Sequence, residues 1–286
     1  MTDDDLALWQ GWCGKPELRD EVLHAADVAR YAAAIGWDTD SLGWPPLGHL
    51  ACFLPLPGPL GPDGHPARGG FFPPVTLPRR MFLGSEMLFH VPLLVGMPAV
   101  QLRTLASLTP KSGRSGQMVL ASVEISIIQD GQTCVSETQT IVYRDAGPAV
   151  PLPAEQTPAP GLGHITPGPV DLFRFSAATG NTHRIHYDLP YARGEEGYPA
   201  LVVHGPLLAA HLLGQWQARH GPPARFSYRL AAPTFAGQTI ALQETAPDQP
   251  STLGQPDTLG QPDTLGRLQA VRCDGTVALT AIASAP

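Results

Sequence analysis

The clearest hydrophobic periodicity in the chain occurs twice. In Asp27–Gly36 (DVARYAAAIG), Val28, Tyr31, Ala32 and Ile35 recur at i, i+3, i+4 and i+7, the stripe of an amphipathic helix, and Gly36 supplies its stop. Asp171–Gly180 (DLFRFSAATG) repeats the pattern 144 residues later, with Pro169 suited to the first turn and Gly180 as the stop. Alternating apolar and polar positions also recur. Gln117–Gln129 and Thr133–Tyr143 flank Asp130-Gly131, and Arg267–Cys273 and Thr276–Ile282 flank Asp274-Gly275. Asp-Gly between two such runs is a strong hairpin signal. A Pro-x-x-x-Gly step also appears in both halves, at Pro92–Gly96 and Pro233–Gly237. Three anchors in one order, at nearly one offset, predict a duplicated unit in which a helix precedes long antiparallel strands, an α+β pattern.

The predicted partition is an N-terminal unit over 1–147, a Pro/Gly-rich linker over 148–169 and a C-terminal unit over 170–286. Leu207–Trp216 is apolar on nearly every face, which predicts a buried central helix opened by His204-Gly205-Pro206. The hexapeptide repeat in Thr252–Gly266 reads as a tolerated hairpin-loop insertion. Gly43–Pro78, rich in Pro and Gly with interspersed aromatics, either covers a groove or wanders over the surface.

Composition narrows the function. Of 286 residues, 43% are hydrophobic and 15% charged, which is sufficient for a large core. A net charge of −7 argues against a nucleic-acid platform, and no apolar run is long enough for a membrane span. Cys13, Cys52, Cys134 and Cys273 form no CxxC pair, and the acidic N-terminus has no secretory leader, so a cytoplasmic protein with reduced thiols is expected.

The halves diverge just after the matched helix. The first continues Trp37-Asp38-Thr39-Asp40; the second continues Asn181-Thr182-His183-Arg184-Ile185-His186-Tyr187-Asp188. His183 and His186, spaced i, i+3, project to one side of a turn. A metal would need a third ligand, for which Asp188 is the candidate, but the spacing of a zinc protease motif is missing. Proton transfer suits imidazoles better, because their ordinary pKa lies near working pH. At His204-Gly205-Pro206, Gly205 permits close backbone approach, and the free N–H groups of a helix start suit a developing oxyanion.

FSAATGNTHRIHYD, followed by EGYPALVVHGP, resembles the MaoC-like hydratases and dehydratases. Within them it is most similar to the branch of mitochondrial-type 3-hydroxyacyl-thioester dehydratase and bacterial mesaconyl-C4-CoA or itaconyl-CoA hydratase. LPRRMFLGSEMLFHVPLLVG resembles the N-terminal half of the same proteins. The resemblance implies a double hotdog: two antiparallel sheets, each wrapped around a central helix, fused in one chain. It also implies reversible hydration or dehydration of an α,β-unsaturated or 3-hydroxyacyl thioester carried by CoA or acyl carrier protein, with no cofactor and no metal. The wider family carries Asp-x-Asn-Pro-x-His here, so the catalytic histidine falls on His186, the Asn position on His183 and the acidic position on Asn181.

The resemblance places an oxyanion donor at Gly205 and leaves His183 to share the acid/base work or orient His186. Asn181 would orient water, and Arg184, Tyr187 and His204 are the expected substrate-binding residues. Arg184 either grips a distal substrate carboxylate or pairs with Asp188. A single active site per chain is expected, because the first half has no matching histidines, and pairing of such chains into a homodimer is common in the resemblance. The rivals are a hotdog thioesterase using Asp188 and a non-catalytic acyl-thioester-binding protein.

Overall fold

A computed structural model describes residues 2–113, 116–157, 159–245 and 265–286. The hexapeptide repeat therefore lies outside the described residues, apart from Leu265 and Gly266. The described helices are α1 (Asp3–Gln10), α2 (Ala25–Ala34), α3 (Thr39–Leu42), α4 (Pro169–Thr179), α5 (Leu189–Gly194) and α6 (Gly205–His220). The strands are β1 (Pro16–Val22), β2 (Arg79–Phe89), β3 (Pro98–Gly113), β4 (Gly116–Gln129), β5 (Gln132–Arg144), β6 (Gly163–Ile165), β7 (Arg225–Leu230), β8 (Ile240–Thr245), β9 (Leu265–Arg272) and β10 (Val277–Ser284). None of the described helices is long and apolar enough to cross a membrane.

The strand order is β1-β3-β4-β5-β2-β7-β10-β9-β8-β6. Read outward from its centre, each half gives the same order, so β1 to β5 correspond in turn to β6, β7, β8, β9 and β10. The halves join edge to edge where β2 pairs antiparallel with β7, from Gly84↔Arg229 to Leu88↔Arg225. This pairing makes one continuous sheet of the two that the double hotdog implies. The periodic helices appear as α2 and α4, which pack on each other at equivalent positions: the Tyr31 and Phe175 rings lie 5.8 Å apart. Part of the stretch expected to be linker is structured, since β6 lies within it and pairs with β8.

The duplicated turns differ. Asp130 (φ 46°) and Gly131 (φ 72°) make a two-residue turn with both residues in the left-handed region, which suits the twist of β4 and β5. At the second turn only Gly275 has positive φ. There the Asp274 carboxylate accepts from Thr276 N and pairs with Arg272, which builds a longer turn.

The larger departure from symmetry is the core. In the second half α6 fills the sheet, burying Leu207, Leu208, Leu212, Leu213 and Trp216 against Phe226, Leu242, Leu268 and Leu279. The first half has no long helix at this position among the described residues. Gly43–Pro78 does its work: Phe71, Phe72, Val75 and Leu77 pack on Leu105, Leu108, Val119 and Tyr143, and Trp44, Cys52 and Phe53 pack near Ile127 and Val135. Arg68 pins the segment's end by donating to the carbonyls of Val75, Leu77 and Pro78. The irregular stretch therefore covers the first sheet, resolving the two readings that its sequence allowed. It carries no helical period because separate residues fill separate gaps.

Candidate active site

Between the first sheet, this covering segment and the start of α6 lies a cavity of about 330 Å³. Its apolar wall includes Leu50, Phe53, Phe82, Ile125, Ile141 and Phe175. Its polar groups come from three sources: Arg80, Gln101, Arg103, Glu137 and Gln139 from β2, β3 and β5; His49 and His65 from the covering segment; and Asn181 and Thr182 from the loop after α4. Pro206, in the first turn of α6, completes the wall. Gly205 precedes it in close quarters, since a Cβ there would lie 2.4 Å from Leu230 Cδ1.

Four imidazoles form a row beside this wall. The ring centroids of His65 and His183 are 4.2 Å apart, those of His183 and His186 5.5 Å, and those of His186 and His204 3.6 Å. Each ring has a partner that orients it. His65 Nδ1 lies 3.1 Å from Asp63 Oδ2, His183 Nε2 3.1 Å from Glu196 Oε1, and His204 Nε2 2.8 Å from Ser176 Oγ. His186 Nδ1 lies 2.7 Å from the Val202 carbonyl oxygen. A carbonyl only accepts, so Nδ1 carries the hydrogen and Nε2 keeps its lone pair. Burial holds His186 well below the ordinary histidine pKa, reinforced by His204 and His183. Burial likewise lowers His204 to about 3. His65 is lowered to about 4 by burial, against the opposing pull of Asp63. These three rings are therefore neutral at working pH.

The residues singled out in the sequence fare differently. Asn181 lines the cavity, and its Oδ1 accepts from His183 N. His183 and His186 are buried in the row next to the wall without lining it. Three expected substrate contacts do not line the cavity. Arg184 donates Nε and Nη2 to Asp188 Oδ2 at 2.9 and 2.7 Å and Nη1 to the Pro62 carbonyl, so its guanidinium is spent on local structure. Tyr187 is 46% exposed and donates its hydroxyl to the Thr182 carbonyl. His204 is fully buried between His186 and Phe175. Asp188, the thioesterase candidate, caps α5 by accepting from Tyr191 N and pairs with Arg184.

Sequence reasoning passed over His65, Asp63, Arg80, Glu196 and the buried His49–Glu137 pair, whose Nε2 and Oε2 lie 3.4 Å apart. Glu196 could have been found, since it opens the EGYP stretch already singled out. The others come from the half without a histidine motif, and no local period marks them. No group of three or more His, Cys, Asp or Glu among the described residues is placed to hold a metal.

A profile of the hydroxyacyl-thioester dehydratase type 2 family matches residues 43–236, a span running from the covering segment past the start of α6 to the loop after β7. The chain is 42% identical to mesaconyl-C4-CoA hydratase of Chloroflexus aurantiacus over 269 residues, covering 86% of this chain and 95% of that one. Among solved structures, a MaoC-like dehydratase from Phytophthora capsici superposes with a TM-score of 0.68 at 14% identity, over 100% of this chain and 98% of the other. A Mycobacterium tuberculosis protein described as a double hotdog superposes with a TM-score of 0.54 at 13% identity, over 96% and 97%. The cavity thus lies inside a double hotdog, and the chain belongs to the hydroxyacyl-thioester dehydratase type 2 family.

Proposed function

We propose that the chain reversibly hydrates an α,β-unsaturated acyl thioester and that its substrate carries a second carboxylate, as mesaconyl-C4-CoA does. The observation that carries the reaction type is the row of imidazoles, three of them held neutral by burial, beside the start of α6. Adding water across C2=C3 needs a base for the water proton, a donor for the oxygen that becomes negative as C2 gains electron density, and a proton for C2. His186, the motif histidine, keeps Nε2 unprotonated, so it can accept the water's O–H as a hydrogen bond or a proton. His183, held by Glu196, orients it through the edge-on contact of their rings. Asn181, an amide on the cavity wall, cannot transfer a proton but can hold water by hydrogen bonding. The Gly205 N–H belongs to the first turn of α6, where no intrahelical acceptor exists, and it serves the thioester oxygen.

The carboxylate reading rests on Arg80 rather than Arg184. Arg80 is buried and lines the cavity; its Nη2 donates to the Pro66 carbonyl and lies 3.9 Å from Asp63 Oδ2, while its Nε has no hydrogen-bond partner. Arg103, the other cation on the wall, is already bound to Glu17 through two nitrogens. A buried guanidinium with an unpartnered Nε on a cavity wall favours an anionic ligand. The thioesterase reading loses support because Asp188 is committed as a cap.

The test is incubation with mesaconyl-C4-CoA while following enoyl absorbance and free thiol together. Hydration removes the absorbance and releases no thiol. Thiol release at the same rate identifies a thioesterase, and neither change identifies a binding protein. His186→Ala should abolish the absorbance change while leaving thioester binding measurable by calorimetry.

A further inference from the structure

The row contains four imidazoles, and His65 is the member that also lines the cavity. It comes from the covering segment of the first half, 118 residues from His183 in sequence. Asp63 Oδ2 lies 3.1 Å from its Nδ1. The carboxylate accepts, so Nδ1 carries the hydrogen and Nε2 keeps its lone pair. Burial alone would raise the Asp63 carboxyl, but the hydrogen bond and charge of His65, with Arg80, hold it below the usual range. It is therefore a carboxylate at working pH, as an orienting partner requires.

The segment is fixed to the motif loop rather than merely lying near it. Arg184 N donates to the Asp63 carbonyl at 2.9 Å, Thr182 Oγ1 donates to the Gly64 carbonyl, and Arg184 Nη1 donates to the Pro62 carbonyl at 3.0 Å. Gly64, between the two members of the pair, has φ +86°, and a Cβ there would fall 2.1 Å from the Thr182 carbonyl oxygen. The contacts hold the pair against the loop that carries Asn181, where an acidic residue would stand in the wider motif.

We propose that His65, oriented by Asp63, is a proton-transfer residue of the hydration reaction and supplies from the first half what Asn181 cannot. The proposal rests on the hydratase reading above. In the forward step, His65 Nε2 takes a proton from water as the water oxygen bonds to C3. The C2=C3 electron pair moves through C2 to the thioester oxygen. The enolate then returns its pair to C2, which takes the proton from the His65 imidazolium, leaving His65 neutral. Asp63 offsets the imidazolium charge while it lasts. His186, with its Nδ1–H fixed on the Val202 carbonyl, receives the water's second O–H as a hydrogen bond at Nε2 and positions it. Dehydration runs the same steps backward.

The charged and titratable groups facing His65 are Asp63, which raises its pKa, and Arg80 and His183, which lower it. His65 must be neutral to accept the water proton, so the acidic limb of kcat/KM for hydration reports its pKa. Asp63→Asn removes the raising charge, which moves that limb to lower pH while the rate falls.

The experiment compares wild type, His65→Gln, His65→Ala and Asp63→Asn on mesaconyl-C4-CoA, with thermal unfolding of each. His65→Gln should lower kcat ~100-fold or more, with KM within about threefold and the unfolding midpoint unchanged. His65→Ala should regain activity with added imidazole, and Asp63→Asn should shift the acidic limb downward. Retention of kcat within about threefold by His65→Gln overturns the proposal. So does loss in a folded His65→Ala that imidazole does not restore, or an unmoved limb in Asp63→Asn. A wild type that hydrates no unsaturated thioester refutes the hydratase reading itself, which separates the two failures.

Discussion

Replacing His204 with Phe tests whether the imidazole row is built to stay uncharged. His204 is fully buried, stacks on His186 at 3.6 Å, and has its pKa lowered to about 3, chiefly by burial. In the unfolded chain it titrates at the ordinary value of about 6.5. As pH falls below 6.5 the unfolded state binds a proton that the folded state refuses, so stability is lost between 6.5 and about 3 and is unaffected above that window. At pH 5 the loss from this one residue is ~2 kcal/mol, the free energy of protonating a group 1.5 units below its unfolded pKa. For a chain of 286 residues that is ~3 °C in Tm. Phe keeps the stack and the volume. It gives up the 2.8 Å contact with Ser176, but that cost is the same at both pH values. The measurement is Tm by calorimetry at pH 7 and pH 5 for both proteins. The drop in the variant should be smaller by ~3 °C. An equal drop in both would show that His204 is protonated in the folded state and would refute a neutral His204.

Gly64→Ala should cost ~2 kcal/mol or more, because the residue holds positive φ and its Cβ would collide with the Thr182 carbonyl. Activity should fall further than Tm does, which a paired kcat and calorimetry measurement checks. Arg80→Leu should weaken kcat/KM for mesaconyl-C4-CoA by ~10- to 100-fold relative to crotonyl-CoA, the range for losing a charged hydrogen bond. Arg184→Gln removes a partly exposed, solvent-screened ion pair and should leave that substrate ratio unchanged. If Arg184→Gln changes the ratio and Arg80→Leu does not, the carboxylate site has been placed in the wrong half.

The legible part of this chain is the part with a local period or a local motif. Val28, Tyr31 and their counterparts Leu172 and Phe175 mark α2 and α4 because a helix repeats its buried face within four residues. The apolar run from Leu207 marks α6 for the same reason, and His183, His186 and Asn181 are legible because six consecutive positions carry them. Arg184 shows where this stops. It stands among candidate site residues in sequence, yet Asp188, four residues on, takes its guanidinium. An i, i+4 partner on a short turn competes with any ligand the arginine could bind. The covering segment shows a second limit. Its residues reach the cavity one at a time from an irregular backbone, so His65 and Asp63 meet Arg80 of β2 through the packing of Phe72 and Val75, which has no spacing to read.

The same contrast explains why the duplicated halves divide the site unequally. A hotdog sheet must cover its apolar face, and a long helix such as α6 does so with a regular stripe. A helix of that kind in the first half would occupy the space where the cavity now lies. The covering segment buries Phe53, Phe72, Val75 and Leu77 on the first sheet and still leaves about 330 Å³ between sheet and segment. Loss of the helix also frees backbone to reach across to the motif loop, through the Asp63 and Gly64 carbonyls that Arg184 N and Thr182 Oγ1 engage. In the proposed site, helix start and histidine motif come from the second half, and the cavity and its His65 and Arg80 come largely from the first. The site therefore needs both halves in one rigid arrangement, and the five residue pairs from Gly84↔Arg229 to Leu88↔Arg225 fix that arrangement.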